Sequence, residues 1–362
     1  MPKAKRLDHL FLLAVLFLLA LGTAMILSAS PVMGMKYGDT FYFIKRHLFF
    51  LTLGLAAMFY GLNLNLDNLK AKAPQILLIA IALLVAVFVP GVSRKVLGAS
   101  RWIDLGIISF QPSELIKFAM VVFLAKWLSE NKTNIGSFTR GFLPPLLIFS
   151  LIALLIMKQP DMGTALTIGT TVFALLLLAG ASYLHLGSIG LLGIIGVLAL
   201  SITSPYRLRR LTSYLDPWKD PLGSGFQVIQ SLLAVGSGGV LGLGLGASRQ
   251  KFYYLPQQFT DFIFAILCEE LGLIGGLSVL IALAVFAHRG FQIALQTKDL
   301  FKRLLVGGIV SWLTVQALLN ISVVLGLVPT TGIPLPFISY GGTAAIINLF
   351  AVGVVLNVSR QP

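Results

Sequence analysis

An aspartate that stands at the mouth of a long apolar stretch is a candidate proton acceptor. Asp261 is the sharpest case in this chain, following Gln257-Gln258-Phe259-Thr260 and preceding Phe262-Ile263-Phe264 and a run of apolar residues. One reading is local: Thr260 caps a helix, and a carboxylate in its first turn is favoured by the helix dipole. The other is chemical: partial desolvation at a water–membrane boundary raises a carboxylate pKa toward neutrality, which suits a general base. Glu269 and Glu270, two turns deeper, do not share a helical face with Asp261. They read as packing residues, with a proton relay as the alternative.

Other polar groups sit at similar mouths. In Phe110-Gln111-Pro112-Ser113-Glu114-Leu115-Ile116-Lys117, Pro112 suits a first helical turn, and Glu114 and Lys117 share a helix face at i, i+3. An ion pair in an apolar helix either locks two helices together or walls a polar cavity. Arg101-Trp102 is either an interfacial anchor or a guanidinium beside a stacking ring, suited to phosphate and sugar. In Lys158-Gln159-Pro160-Asp161-Met162-Gly163-Thr164, Asp161 either caps the next helix or presents an acid at a cavity lip. The run Gly242-x-Gly244-x-Gly246 has no βαβ surroundings, so close packing of a re-entrant or surface-lying helix explains it better than nucleotide binding. Near the end, Ser339-Tyr340-Gly341-Gly342-Thr343 allows close backbone approach to a ligand.

The elements that position these groups follow from composition. Of 362 residues, 57% are hydrophobic and 11% charged, which excludes an ordinary soluble domain, where about 25% are charged. The expected fold is an all-α polytopic membrane protein forming a single domain over residues 1–362. Ten apolar stretches near the required length of about 17–25 residues lie at 10–29, 47–64, 74–90, 112–129, 142–158, 163–180, 184–203, 261–287, 303–328 and 336–358. The first follows Lys3, Lys5 and Arg6 and is too long for a signal-peptide core, so it reads as a span with a cytoplasmic basic flank. An even number of spans then places both termini in the cytoplasm and a large polar loop, about 204–260, outside between spans seven and eight. The formal charge of +14 suits anionic headgroups or an anionic substrate, and no basic domain stands apart to serve nucleic acid. On this topology Arg46, Arg94, Lys95, Arg101, Arg207, Arg210 and Lys251 face outward, many against the positive-inside tendency. That excess suggests an anion bound on the outer face. A single cysteine, Cys268, excludes an intramolecular disulfide.

The blocks LDPWKDPLGSGFQVIQSLLAVGSGG, YYLPQQFTDFIFAILCEELGLIG, FQPSELIK, QPDMGT and PLPFISYGGT resemble those of the SEDS family (shape, elongation, division and sporulation), the RodA, FtsW and SpoVE group. The resemblance runs over essentially the whole chain. SPYRLRRL before LDPWKDP, and VPTTGIPLPFISYGG, are similar to the division and sporulation branch. The resemblance implies a ten-span peptidoglycan glycosyltransferase of the bacterial cytoplasmic membrane, polymerising lipid II on its outer face. It implies partnership with a single-span class B penicillin-binding protein, contact with other divisome or elongasome membrane proteins, and membrane lipids around it. The family's essential aspartate falls on Asp261, and its polar cavity residues fall on Arg101, Trp102, Glu114, Lys117 and Asp161. Arg46, Gln111, Ser113, Arg207, Arg210, Lys251, Ser339 and Tyr340 complete the expected substrate-binding set.

The chemistry such an enzyme needs agrees with the residues. A sugar hydroxyl needs a base, for which Asp261 is the candidate. A departing polyprenyl pyrophosphate needs cations, which Arg101 and Lys117 supply, with Mg²⁺ or Mn²⁺ as an expected aid. A lipid II flippase is the rival, since the same cavity and cations would serve transport. A divisome scaffold without chemistry would have no need of intramembrane charges.

Overall fold

The computed structural model describes residues 7–96, 99–104, 106, 109–135, 137–202, 205–252 and 254–361. Lys3, Lys5 and Arg6 lie outside the described residues, as do the side chains of Arg94 and Lys95. Among the described residues fourteen α-helices follow one another: α1 (His9–Ala29), α2 (Pro31–Gly34), α3 (Tyr42–Leu62), α4 (Leu66–Ala71), α5 (Ala73–Ala86), α6 (Pro112–Glu130), α7 (Leu143–Lys158), α8 (Met162–Leu178), α9 (Tyr183–Ile202), α10 (Pro205–Leu215), α11 (Phe226–Ser237), α12 (Ile263–Gln296), α13 (Leu300–Val324) and α14 (Gly342–Ser359).

Each expected span coincides with a helix. α1, α3, α12, α13 and α14 are long and apolar enough to cross a membrane, and α5, α7, α8 and α9 are shorter apolar helices. α6 is interrupted by Glu114, Lys117 and Lys126, yet the first two are buried. α1 shows why lipid must be the solvent. Leu10, Leu13 and Phe17 are exposed while Phe11, Val15 and Leu18 are buried, so the helix is apolar on every side. Its start is fixed by Asp8, which accepts the Phe11 N–H at 2.9 Å. The same carboxylate takes Arg289 of α12 at 2.7 Å, roughly 40 Å along that helix from the end near Asp261. α3 and α14 pack backbone to backbone: a Cβ on Gly353 would lie 2.1 Å from the Met58 carbonyl. This protein is therefore an all-α polytopic membrane protein.

Four local expectations change. The segment between α5 and α6 forms a small antiparallel meander, β1 (Ser93–Val96), β2 (Ala99–Asp104) and β3 (Ser109–Phe110), with Arg94 opposite Trp102 and Ile103 opposite Phe110. The eighth span starts at Ile263, so Asp261 lies outside the helix in a series of turns. Thr260 does not cap that helix, since its hydroxyl donates to Gln257. The last span starts at Gly342, which leaves residues 336–341 as irregular chain.

A further change concerns the glycine run. It is not a packed helix but a string of turns threaded into a break in α12. Gly272 there has φ 64° and ψ −161°. Leu243 and Gly244 donate to the carbonyls of Glu269 and Glu270, and Leu273 and Ile274 donate to those of Gly239 and Val240. The insertion satisfies backbone groups that the break would otherwise orphan inside the bundle.

Candidate active site

Three stretches of chain meet around Asp261: the turns before α12, the segment after α13, and the α7–α8 connection that carries Asp161. Asp261 is partly enclosed at the end of the bundle. The turn that presents it pivots on Gln257, whose φ is 57° and whose carbonyl accepts the N–H groups of Thr260 and Phe262. A left-handed conformation at a non-glycine residue persists only where its surroundings hold it, and such positions cluster at functional sites.

The segment after α13 faces the Asp261 carboxylate. Gly332, at φ 77°, has no Cβ; one built there would lie 3.7 Å from Asp261 Oδ2. Ser339 latches the two segments, its Oγ donating to the Thr260 carbonyl at 2.6 Å and accepting from Leu335 N at 2.8 Å. Tyr340 N donates to the Phe259 carbonyl at 2.9 Å. Arg210, on α10, reaches in and donates to the Thr330 carbonyl at 2.7 Å.

Arg101 comes from β2. Its Nε donates to the Gln159 carbonyl at 2.9 Å, and its Nη2 donates to that of Pro160. Asp161 caps α8: Oδ1 accepts the Thr164 N–H at 3.1 Å and Oδ2 accepts the Thr164 hydroxyl at 2.9 Å. The capping reading of Asp161 is therefore realised, and Arg101 still stands 4.0 Å from it. Burial pushes the Asp261 carboxyl up to about 6, Arg101 and Arg210 draw it back, and Asp161 pushes it higher. A carboxyl poised there exchanges protons near neutral pH.

Beneath this lies a second polar layer. Lys117 Nζ donates to Glu114 Oε1 at 2.9 Å and to Gln316 Oε1 at 2.7 Å, and it sits 5.3 Å from the centre of the Trp312 ring. Glu114 and Lys117 are only 1% and 3% exposed, so this pair belongs to the interior. Glu114 Oε2 has no hydrogen-bond partner among the described residues. Gln316 passes the contact onward, donating to the Pro334 carbonyl at 2.9 Å.

The structure thus brings Arg101, Asp161, Arg210 and Asp261 together. Glu114 and Lys117 lie behind them, and Ser339 serves as backbone latch. Other expected residues are placed differently. Gln111 and Ser113 bond to one another at 3.0 Å at the start of α6, and Gln111 N donates to Thr343 of α14. Trp102 is half-buried on β2, and Arg207 half-buried on α10. Arg46 and Tyr340 form a separate aromatic group: the Tyr340 ring meets Phe43 and Phe259 edge-on, and Arg46 donates to Tyr42. Lys251 is committed elsewhere, 5% exposed and 3.2 Å from Glu270, and it also donates to the Gly246 carbonyl. Glu269 and Glu270 hold the inserted loop: Glu270 accepts from Ser28 and Lys251, and Glu269 from Ser248 and the N–H groups of Arg249 and Gln250. Packing, not a relay, is what these contacts describe.

Mg²⁺ or Mn²⁺ finds no cage of protein ligands. Among the described residues no three His, Cys, Asp or Glu side chains gather, so an ion here would rest on one or two carboxylates and the substrate's phosphates. Two residues that matter were missed in the sequence, Gln316 and Asn320 of α13. Asn320 Nδ2 donates to the Asp261 carbonyl at 2.7 Å and to the Ile333 carbonyl at 2.8 Å. The available signal was two amides spaced i, i+4 in an otherwise apolar helix.

Comparison with known proteins gives this geometry its relatives. Stage V sporulation protein E of Bacillus subtilis (strain 168) is 49% identical over 354 residues, covering 98% of this chain and 97% of that protein. A probable peptidoglycan glycosyltransferase FtsW of Geobacter sulfurreducens is 42% identical over 358 residues, covering 99% and 96%. Among solved structures, a chain from work on the structural coordination of polymerization and crosslinking by a peptidoglycan synthase complex superposes with a TM-score of 0.82 at 31% identity, covering 98% of both chains. The rod shape determining protein RodA of Thermus thermophilus superposes with a TM-score of 0.73 at 29% identity, covering 98% of this chain and 97% of that one. The family description FtsW/RodA/SpoVE, cell cycle protein, matches residues 8–362, and the chain belongs to that family.

Proposed function

We propose that this protein is a peptidoglycan glycosyltransferase that polymerises lipid II on the outer face of the bacterial cytoplasmic membrane. The observation that carries the reading is Asp261: a partly enclosed carboxyl, raised to about 6, beside two guanidinium groups and facing a backbone wall in which Gly332 lies against it. The names of the relatives point the same way.

In this reaction the 4-hydroxyl of one lipid-linked disaccharide attacks the anomeric carbon of another. Its proton passes to the Asp261 carboxylate as the new glycosidic bond forms. The bond from the anomeric carbon to phosphate breaks, and the electron pair leaves with the polyprenyl pyrophosphate. Arg101 and Arg210 face the growing negative charge, a preorganised arrangement that favours the transition state. One direct displacement inverts the sugar. Lys117 and Glu114 lie deeper and act by holding Gln316 and, through it, the segment opposite Asp261.

The orientation that goes with this reading has both termini in the cytoplasm and Asp261 outside. A class B penicillin-binding protein is the partner it calls for, and the relation to a peptidoglycan synthase complex supports it. The similarity to a stage V sporulation protein supports a division or sporulation role over elongation. The test is polymerisation of purified lipid II by the protein co-purified with a partner inert for cross-linking, the glycan being read on a gel. Lipid II that crosses liposomes without forming polymer would move the reading to a flippase.

A further inference from the structure

The proposed reaction requires the Asp261 carboxylate to stay in register with the wall that faces it. Both lie on irregular chain, which has no ladder of its own to hold it. α13 supplies the missing support. Gln316 and Asn320 are four residues apart and project from one helix face. They are 0% and 1% exposed. Buried amides in an apolar helix are costly unless their N–H groups are used, and here all three bonds they donate go to the two segments of the site.

We propose that Asn320 is the positioning residue for Asp261, with Gln316 as its brace, an inference that rests on the glycosyltransferase reading above. Asn320 gives its two N–H groups to the carbonyls of Asp261 and Ile333, at 2.7 Å and 2.8 Å. A single side chain thereby ties the segment carrying the base to the wall it faces. Gln316 ties the next carbonyl of the wall, Pro334, to Lys117 and through it to Glu114. Trp312 Nε1, donating to Gln316 Oε1 at 3.0 Å, fixes which end of that amide is the acceptor. The result is a line from the buried Glu114–Lys117 pair to the backbone of the proposed base, made of two hydrogen-bonded branches joined by the covalent Ile333–Pro334 chain. It explains why an ion pair too deep to meet a substrate is built into α6: it orients the amide that holds the wall.

Neither amide touches the Asp261 carboxylate, so the proposal is about placement. Losing the Asn320 bracket frees the turn, lets water reach the carboxylate and removes part of the burial that raises it. The Asp261 titration midpoint then moves down, which a helix staple of no consequence to the site would not cause.

The test uses the full chain in detergent with three variants, Asn320→Ala, Gln316→Met and Asn357→Ala. Asn357 is a control of the same chemistry, a buried amide that donates to the carbonyls of Gly61 and Leu64 away from the site. Carbodiimide labelling of Asp261, followed by mass spectrometry across pH, reads the carboxyl without requiring activity. Lipid II polymerisation with the partner present gives kcat and KM. We expect the labelling midpoint to fall by about one unit in Asn320→Ala and less in Gln316→Met, and to stay at the wild-type value in Asn357→Ala. We expect kcat to fall about tenfold or more in Asn320→Ala with KM within about threefold of wild type. If Asn320→Ala fails to fold, Gln316→Met carries the same two readings.

An unchanged midpoint together with an unchanged kcat, in a folded variant of a polymerising enzyme, overturns the positioning role and leaves the glycosyltransferase reading intact. Absence of polymer from wild type, with the labelling midpoint still displaced in Asn320→Ala, overturns the glycosyltransferase reading and leaves the positioning role intact.

Discussion

Arg101 Nη1 stands 4.0 Å from Asp161 Oδ2 while the same guanidinium holds the carbonyls of Gln159 and Pro160. An arginine from β2 is thus fixed to the α7–α8 connection, and its charge is placed near Asp261 without being spent on it. Asp161, the cap of α8, contributes the opposing charge. The acidity of Asp261 is set by this arrangement together with burial and Arg210.

That balance predicts a pH profile. A general base must be charged, so the polymerisation rate should be low below about pH 6 and level off above it. Removing a cation takes away a lowering influence, so Arg210→Gln should move the acid limb to higher pH. Asp161→Asn removes a raising influence and should move it to lower pH. Initial rates between about pH 4.5 and 8 would show it. Shifts in the reverse order would mean that a different group sets the limb.

The same shift has a consequence for stability. The folded carboxyl lies above its ordinary value of 3.8, so the folded state binds a proton more tightly than the unfolded state. Stability is then fully present below the ordinary value and declines as pH rises through about 6. Asp261→Asn removes the charge that the site disfavours. It should stabilise the protein by about 1–2 kcal/mol at pH 8 and by close to nothing at pH 4. Thermal unfolding in detergent at the two pH values measures the difference. A variant less stable than wild type at pH 8 would contradict it.

The Glu114–Lys117 pair should behave as an enclosed unit. Glu114→Gln or Lys117→Met alone strands one buried charge and should cost about 3–5 kcal/mol, whereas the double variant should recover most of that loss. Activity should not recover fully with it, because Gln316 loses the ammonium, one of the two donors that hold its carbonyl end. A double variant with full activity would show that the pair only stabilises. Polymerisation at the wild-type rate by Lys117→Ala and Arg101→Ala, both expressing normally, would remove both residues from the function.

Much of this site can be read from charges in apolar surroundings. Asp261, Arg101, Asp161, Glu114 and Lys117 are each conspicuous because a charge in such a place needs a reason. Gln316 and Asn320 are as important to the geometry but carry no charge, and within α13 they pass as ordinary polar interruptions. Lys251 was misleading for the converse reason. A lysine in a polar loop looks free until its partner Glu270, nineteen residues later, is brought beside it by the break at Gly272. That break is itself hidden, since a glycine inside an apolar helix usually marks close packing. The helices at the ten apolar stretches were visible because runs of apolar residues announce them, and five of these helices are long and apolar enough to cross a membrane. Their edges at Asp261 and residues 336–341 were not, because apolar residues continue through turns that the site holds in place.

The inserted glycine loop predicts a narrow tolerance. A Cβ on Gly242 would lie 2.2 Å from the Glu270 carbonyl, and the residue has φ 81°. Gly242→Ala should therefore expel residues 239–244 from α12, with a loss of about 3 kcal/mol or more and a new protease-sensitive site in the loop. Limited proteolysis beside wild type would test this. A variant as resistant as wild type would show that the loop does not depend on the insertion.

The most direct measurement compares wild type and Asp261→Asn in polymerising purified lipid II, each co-purified with the class B partner. Asparagine keeps the shape of the side chain and the backbone bond from Asn320 but cannot accept the proton. Polymer from wild type and none from a folded, partner-bound Asp261→Asn is the result predicted. Polymer from both at similar rates would contradict the role of Asp261, and with it the central claim.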